Sequence, residues 1–342
     1  MSSQPYLNRP KINPVPKGTT RPLWSVMIPT YNCAGYLKTA LSSVLAQAPG
    51  PEVMQIEVID DCSDKDDPRQ VVEEIGKGRV QFFRQARNQG YIKNFETYLQ
   101  RSRGHLVHLL HGDDFVQEGF YQKIQAAFAT HPEIGAAFCF HTYVDENGGF
   151  LGDAPRESAE SGILENWLER IAVEQRIQTP AIVVRRRVYE ELGGFDRRFS
   201  CSGEDWEMWV RIAVQYPVWY ETEQLASYRM HVQSLSGSSV RTGADIQDLR
   251  MGIGIMSTYL PPALARRTTP KALENVALYA IRYQMARMLA LGDYKGAMLQ
   301  LREALRCQAS PRVLLALFNL AGLRRNLYHE RSRLRRALKA SV

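Results

Sequence analysis

Two adjacent carboxylates, Asp113 and Asp114, follow the apolar run His105–Leu110 and precede Phe115 and Val116. The run is bounded by Gly104 and Gly112, so it predicts a buried strand that delivers both acids at its carboxyl end, where open α/β sheets hold their ligands. Paired oxygen ligands suit hard divalent cations such as Mg²⁺ or Mn²⁺, which commonly share their coordination with substrate phosphates. The chemistry expected here is metal-assisted work on a phosphorylated compound. Adjacent Asp residues are also ordinary turn formers and helix caps, so the pair needs company to carry that reading.

Company is present along the chain. Trp24–Ile28 predicts a strand running into Pro29-Thr30-Tyr31-Asn32, and Gln55–Ile59 predicts one running into Asp60-Asp61-Cys62-Ser63-Asp64. Further on, Gly203-Glu204-Asp205-Trp206 opens an amphipathic helix over Asp205–Tyr216, with Trp206, Trp209, Val210 and Ala213 on one face. Carboxylates at a helix amino terminus are stabilised in their charged form by about 0.3–1 kcal/mol, and a capping role is the plain alternative for Asp205. Tyr228-Arg229-Met230-His231 reads as an alternating strand that puts Arg229 and His231 on one face.

The elements that must position these groups alternate. Leu37, Leu41, Val44, Leu45 and Ala48 recur at helical spacing before Pro49-Gly50-Pro51, and Asp67-Pro68 marks the start of a second helix with Gly76 near its end. Val80–Phe83 predicts a third strand and Tyr91–Gln100 a helix with Phe95, Tyr98 and Leu99 inward. Ile134–Phe140 is a further apolar run, and Asp145–Gly149 a turn. The second half is less regular: a helix over Ile163–Val173, a strand over Pro180–Val184, and a short helix over Val188–Leu192 closed by Gly193 and Gly194. Alternation of this kind predicts a parallel sheet, on which the strand-end clusters converge at one rim.

At this point the chain resembles the family-2 glycosyltransferases. The resemblance rests on Pro29 to Asn32, Asp60 to Asp64, Asn88-Gln89-Gly90, Asp113-Asp114, Leu192 to Asp196, Glu204-Asp205-Trp206 and Tyr228 to His231. It covers roughly residues 22 to 240. The fold it implies is α/β, a single Rossmann-like glycosyltransferase A-type domain that binds a nucleotide sugar, with a carboxyl-terminal helical appendage. The expected divisions are a flexible segment 1–20, a catalytic domain 21–240 with a nucleotide-binding half 21–140 and an acceptor half 141–240, and a helical region 241–342.

The resemblance also implies roles. Asp205 is the general base that deprotonates an acceptor hydroxyl, and Glu204 contacts a sugar. Asp114 binds Mg²⁺ or Mn²⁺, Asp113 shares the metal or contacts the ribose, and His231 is a third metal ligand. Pro29, Thr30, Tyr31 and Asn32 line the nucleotide pocket. Asp60 or Asp61 accepts from the base, which favours UDP or dTDP. Asn88 and Gly90 turn over the nucleotide, Arg229 grips the diphosphate, and Trp206 and Gly194 meet the acceptor. Many members carry a third acid two positions before Asp113, where this chain has His111; that departure leaves the metal's identity and strict metal dependence open at this stage.

Composition sets the remaining bounds. The 342 residues suffice for a catalytic domain plus an appendage. Five cysteines, Cys33, Cys62, Cys139, Cys201 and Cys307, show no paired spacing, which argues against a disulfide framework and for a reducing compartment. No apolar run approaches the roughly 20 residues that cross a bilayer, and Met1–Thr20 is polar and proline-bearing rather than signal-like. The expected location is cytoplasmic, with peripheral contact at the inner face of the membrane. From Asp245 onward there are 17 Lys and Arg against 6 Asp and Glu, whereas the first 244 residues are mildly acidic, so a nucleic-acid footprint over the whole chain is not expected.

Val276–Leu291 and Ala297–Leu305, joined through Gly292-Asp293-Tyr294, predict a helical hairpin. Beyond it an apolar stripe of Val313, Leu314, Leu317, Leu320 and Leu323 is followed by Arg324, Arg325, Arg331, Arg333, Arg335 and Arg336, read as a helical cap or as an anchor on anionic lipid. The activity expected is inverting transfer of a sugar from a nucleoside-diphosphate sugar to a saccharide or lipid-linked acceptor, in surface polysaccharide or glycoconjugate assembly. Two rivals stand beside it. A nucleotidyltransferase would use similar carboxylates but should carry a glycine-rich basic loop after the first strand, which Pro29–Tyr36 lacks. A non-catalytic scaffold with a degenerate site finds its support in His111.

Overall fold

The computed structural model describes residues 8–231 and 239–318. The apolar stripe beyond Phe318 and the arginine run therefore lie outside the described residues. Among the described residues no helix is long and apolar enough to cross a membrane.

A ten-stranded sheet organises the molecule. Its strands are β1 (Trp24–Thr30), β2 (Met54–Asp60), β3 (Gln81–Arg84), β4 (Leu106–Leu109), β5 (Phe115–Val116), β6 (Ala136–Val144), β7 (Phe150–Asp153), β8 (Gly162–Ile163), β9 (Ile182–Arg185) and β10 (Val218–Arg229). The order is β3-β2-β1-β4-β9-β6-β10-β5, with β7 on β6 and β8 on β10. The β3, β2, β1 and β4 strands are mutually parallel. Because β9 is antiparallel to both β4 and β6, β6 and its parallel neighbour β10 run in the same direction as β1. β1, β2, β3, β4, β6 and β10 thus end at one rim, as the alternation predicts, but β5, β7, β8 and β9 pair antiparallel, so the sheet is mixed and not the parallel one expected.

Both faces of the sheet are covered, which explains why its central strands are largely apolar; buried polar residues such as Ser25 and His108 are hydrogen-bonded. Val26 and Ile28 of β1 join one core with Leu37 and Leu41 of α1 (Ala34–Leu45), Val71 of α2 (Pro68–Gly76), and Phe120 and Ile124 of α4 (Phe120–Thr130). Met27 faces the other core, with Phe95 and Leu99 of α3 (Tyr91–Arg101), Val188 of α6 (Arg186–Leu192), and Trp206 and Trp209 of α7 (Glu204–Gln215). Gly104 admits β4 beside β1: a Cβ there would stand 2.4 Å from the Trp24 carbonyl carbon.

Three local expectations change. The helix read over Ile163–Val173 is only α5 (Trp167–Ile171), because Gly162 and Ile163 pair with Tyr220 and Trp219 of β10 and Asn166 takes a left-handed φ of 52°. The outer face of α7 is not solvated. Glu207 and Arg211 are buried and paired at 2.8 Å, and Arg9 reaches Glu207 at 2.9 Å. The amino-terminal segment is docked from Asn8 on: Gly194 donates to the Pro10 carbonyl, Arg197 to that of Asn8, and Ile12 is fully buried.

After β10 come α8 (Ala244–Ser257), α9 (Pro262–Tyr279), a π-helical turn over Ala280–Met285, α10 (Ala286–Ala290), α11 (Tyr294–Cys307) and α12 (Pro311–Phe318). Asp293 caps α11 by accepting from the Gly296 amide at 2.8 Å. The expected hairpin is present as α9 to α11, with Ile246, Ile253, Ala272 and Ala304 continuing the core that contains Trp209.

Candidate active site

The strand pairing continues past β1 and β4 into the chemistry. Leu110 donates to the Met27 carbonyl and Gly112 to that of Pro29, so the turn carrying the acid pair is laced onto the end of β1. The Arg229 amide, at the end of β10, donates to Asp114 Oδ1 at 2.8 Å. The other oxygen, Oδ2, lies 3.6 Å from His111 Nδ1, longer than a hydrogen bond. His111 itself stacks on Phe95 with ring centroids 5.5 Å apart.

The ligand atoms of His111, Asp113 and Asp114 lie within 4.8 Å of one another. Asp114 Oδ2 and His111 Nε2 are buried without a hydrogen-bond partner. Buried polar atoms are ordinarily satisfied, and a mixed nitrogen and oxygen cluster with an orphaned carboxylate oxygen fits a divalent cation. His111 fills the position expected of a third acid. His231, expected as the third ligand, bonds Asp113 Oδ2 through Nε2 at 2.9 Å and packs on Tyr36, beside the cluster.

Charge is balanced unevenly across this cluster. Burial and the neighbouring Asp113 push the Asp114 carboxyl above its ordinary range. Asp113 moves the opposite way, because the His231 hydrogen bond and the His111 charge outweigh its burial. Burial would lower the His111 imidazole, yet the adjacent Asp114, then Asp113 and Glu204, raise it.

The second carboxylate pair opens α7, and both members are only 8% exposed. Glu204 Oε2 accepts from the Tyr91 hydroxyl at 3.1 Å. Asp205 accepts from its neighbour's amide, Trp206 N, at 2.7 Å, and from Gln175 Nε2 at 2.8 Å. Burial raises both carboxyls, the Asp205 charge raises Glu204 further, and His111 pulls both down. His111 is thus within electrostatic reach of both acid pairs.

Glu204 carries a consequence for stability. An acid whose folded pKa exceeds its ordinary 4.5 binds its proton more tightly when folded. Its contribution to stability is full below 4.5 and is lost as pH rises through the raised value. Glu204→Gln stays neutral and can still accept from Tyr91. It is expected to melt higher than wild type at pH 8.5 and to lose that advantage at pH 4.5; an equal or negative difference at both pH values would count against the buried charge as a cost.

On the nucleotide side, Tyr31 is 45% exposed, and Asn32 turns through a left-handed φ of 52° with Oδ1 accepting from the Asp64 and Lys65 amides. Pro29 and Thr30 end β1, and the Thr30 hydroxyl meets Cys33 Sγ at 2.8 Å. Asp60 and Asp61 do not offer bare carboxylates. Asp60 is held by Ser63 and by Arg84 Nε at 2.6 Å, while Asp61 accepts from the Gln89 and Gly90 amides at 2.8 and 2.9 Å. Asn88 joins the same turn through the Gly90 amide.

Three expected roles are corrected. Arg229 is buried, and its Nε and Nη1 donate to the carbonyls of Asp113, Asp145 and Glu146; it ties the acid turn to the loop after β6 instead of extending a fork to a diphosphate. Trp206 is a core residue whose indole donates to the Ile171 carbonyl at 2.6 Å, so it has no face for an acceptor. Gly194 lies under the amino-terminal segment, where a Cβ would meet Pro10 at 2.8 Å.

Sequence reasoning missed Tyr91, Gln175 and Arg84. Arg84 had a signal, since it ends the edge strand in register with Asp60. Tyr91 begins the helix after Asn88-Gln89-Gly90, whereas Gln175 sits in an irregular loop with no periodicity to place it.

The family described as glycosyl transferase family 2 matches residues 25–193. An uncharacterized glycosyltransferase of Mycoplasma genitalium is 30% identical over 128 residues, which span 36% of this chain and 42% of that relative's length. Among solved structures, S. aureus TarS 1–349 in complex with UDP-GlcNAc superposes with a TM-score of 0.62 at 17% identity, covering 92% of each chain. A mannosyltransferase from Pyrobaculum calidifontis in complex with GDP-Man and Mn²⁺ gives 0.54 at 18% identity, covering 93% of this chain and 90% of that one. The fold is therefore the glycosyltransferase A type, with a helical carboxyl-terminal region.

Proposed function

We propose that the chain, whose residues 25–193 match glycosyl transferase family 2, transfers a sugar, with inversion, from a nucleoside-diphosphate sugar to an acceptor hydroxyl. The observation that carries this reading is the cluster of His111, Asp113 and Asp114, whose ligand atoms lie within 4.8 Å of one another, together with the buried carboxylate pair Glu204 and Asp205 at the start of α7. One pair suits a cation beside a diphosphate and the other suits a proton acceptor. The nucleotide-sugar complexes of the two structural neighbours and the Mn²⁺ of one of them support the same assignment.

In this mechanism Asp205 takes the proton of the acceptor hydroxyl as its oxygen bonds the anomeric carbon and the bond to the diphosphate breaks. Burial makes Asp205 a stronger base than an exposed Asp, and the Gln175 and Trp206 N–H groups fix its oxygens. Glu204, steadied by Tyr91, contacts a sugar hydroxyl. Asp114, Asp113 and His111 would hold the cation, with Arg229 and His231 orienting the two acids. A divalent cation bound there supplies charge neutralisation for the departing diphosphate. For the base, Tyr31 offers an exposed ring; uracil or thymine is proposed on the family alone. A saccharide or lipid-linked acceptor in surface polysaccharide assembly, reached from the cytoplasmic side, is proposed on the family alone.

A thermal-shift panel of UDP-, dTDP- and GDP-sugars with and without Mn²⁺ tests this. A bound donor at about 100 times its dissociation constant adds roughly 2.7 kcal/mol of stability. A UDP- or dTDP-sugar is expected to raise the melting temperature most, and only with the cation. No shift with any donor would overturn the reading.

A further inference from the structure

The backbone that leads into Glu204 and Asp205 is held by a residue outside the catalytic rim. Asp248, on α8, directs Oδ2 at the turn of residues 200–202. That one oxygen faces the Ser200 amide at 2.7 Å, the Ser200 hydroxyl at 3.0 Å, the Cys201 amide at 2.8 Å and the Ser202 amide at 3.3 Å. The carboxylate is buried, so these are charge-assisted bonds in a water-poor setting, stronger and shorter than neutral ones.

The next residue, Gly203, precedes α7 with a φ of 87°, and a Cβ on it would meet Leu249 at 3.1 Å. A Cβ on Gly252, one turn along α8, would meet the Phe199 ring at 3.1 Å. α7 has no side-chain cap of its own. Its start is therefore placed by what α8 does to the preceding turn, and Tyr259 adds a bond to the Glu207 carbonyl at 3.2 Å.

We propose that Asp248 is a positioning residue for transfer: by gathering the amides of residues 200–202 it sets where α7 begins, and so where Asp205 points its carboxylate. The proposal rests on Asp205 being the base. The helix after β10 then has a part in the reaction although it touches no substrate. Misplacing a reacting group by about 1 Å can cost about 100-fold in rate, so removal of the clamp should act on turnover more than on donor affinity.

The test compares Asp248→Ala, Asp248→Asn and Asp205→Asn in the full chain. Asp248→Ala is expected to lower kcat by about 10- to 100-fold, with the Kd for UDP in Mn²⁺ unchanged within about twofold. Asp248→Asn keeps an acceptor oxygen and should recover part of that loss, an order a general loss of packing would not produce. Unchanged kcat in Asp248→Ala, or equal losses in kcat and UDP affinity, would overturn the clamp. If Asp248→Ala does not fold, Asp248→Asn decides by the same split: a lowered kcat with unchanged UDP affinity supports the clamp, and an unchanged kcat overturns it. Wild-type turnover in Asp205→Asn would remove the base assignment and the clamp together, whereas an inactive Asp205→Asn beside a fully active Asp248→Ala would remove the clamp alone.

Discussion

Asp205→Asn is expected to lower transfer by about 10²- to 10⁴-fold, the range a positioned general base contributes. The substitution is close to isosteric. An asparagine oxygen can still accept from the Trp206 amide, so the start of α7 should keep its place, and what disappears is the ability to take a proton. Donor and metal affinity should stay near wild type, because the cluster of His111, Asp113 and Asp114 is built on a different turn and is not altered. The loss belongs in kcat and in kcat/KM alike, the pattern of an interaction made only in the transition state.

The wild-type pH profile carries the same information. The base works when ionised, so activity is present above its pKa and lost as pH falls through it. Because burial raises Asp205, that acidic limb should lie above the ordinary carboxylate range, and the residual rate of the asparagine variant should lack it. Turnover within about threefold of wild type would sink the assignment, since a functioning base is worth at least about 100-fold.

How much of this was legible in the sequence follows from what each element rests on. The strands feeding Thr30, Asp60 and Asp113 were readable because a sheet covered on both faces leaves near-continuous apolar runs, and because parallel order then forces their ends to one rim. The acid pairs were readable as types and spacing. What failed was the environment of single side chains. Trp206 and Arg229 carry surface-active chemistry in isolation, but Trp206 meets the Ile171 carbonyl and Arg229 three loop carbonyls, contacts of 35 to 116 residues' separation that no local pattern encodes. The same limit hid the cover over α7. Its polar face reads as solvated because the sequence does not say that Arg9 and α8 will pack there.

His111 shows the limit from the other side. As a departure from the family pattern it was the best support for a degenerate site, yet its ring stands with Asp113 and Asp114 in one cluster of ligand atoms. Substituting an imidazole for a carboxylate reduces the negative charge in a region that already holds four acids.

Asp114→Asn is expected to remove the Mn²⁺-dependent part of UDP binding. Asparagine is the informative substitution, because its side-chain oxygen can keep the bond from the Arg229 amide that Asp114 Oδ1 now accepts. An alanine would leave that buried amide unsatisfied at about 1–3 kcal/mol and confuse folding with binding. The atom that changes character is the orphaned Oδ2, which loses its charge beside His111. Loss of a group that merely orients a ligand costs about 10- to 100-fold in metal affinity, so loss of the ligand itself should exceed that. Calorimetry of UDP with Mn²⁺ and with chelator separates the outcomes: wild type should bind far more tightly with the cation, and the variant should bind equally weakly in both. An unchanged affinity in Mn²⁺ would move the metal role away from Asp114 and leave its raised, buried carboxyl without a use.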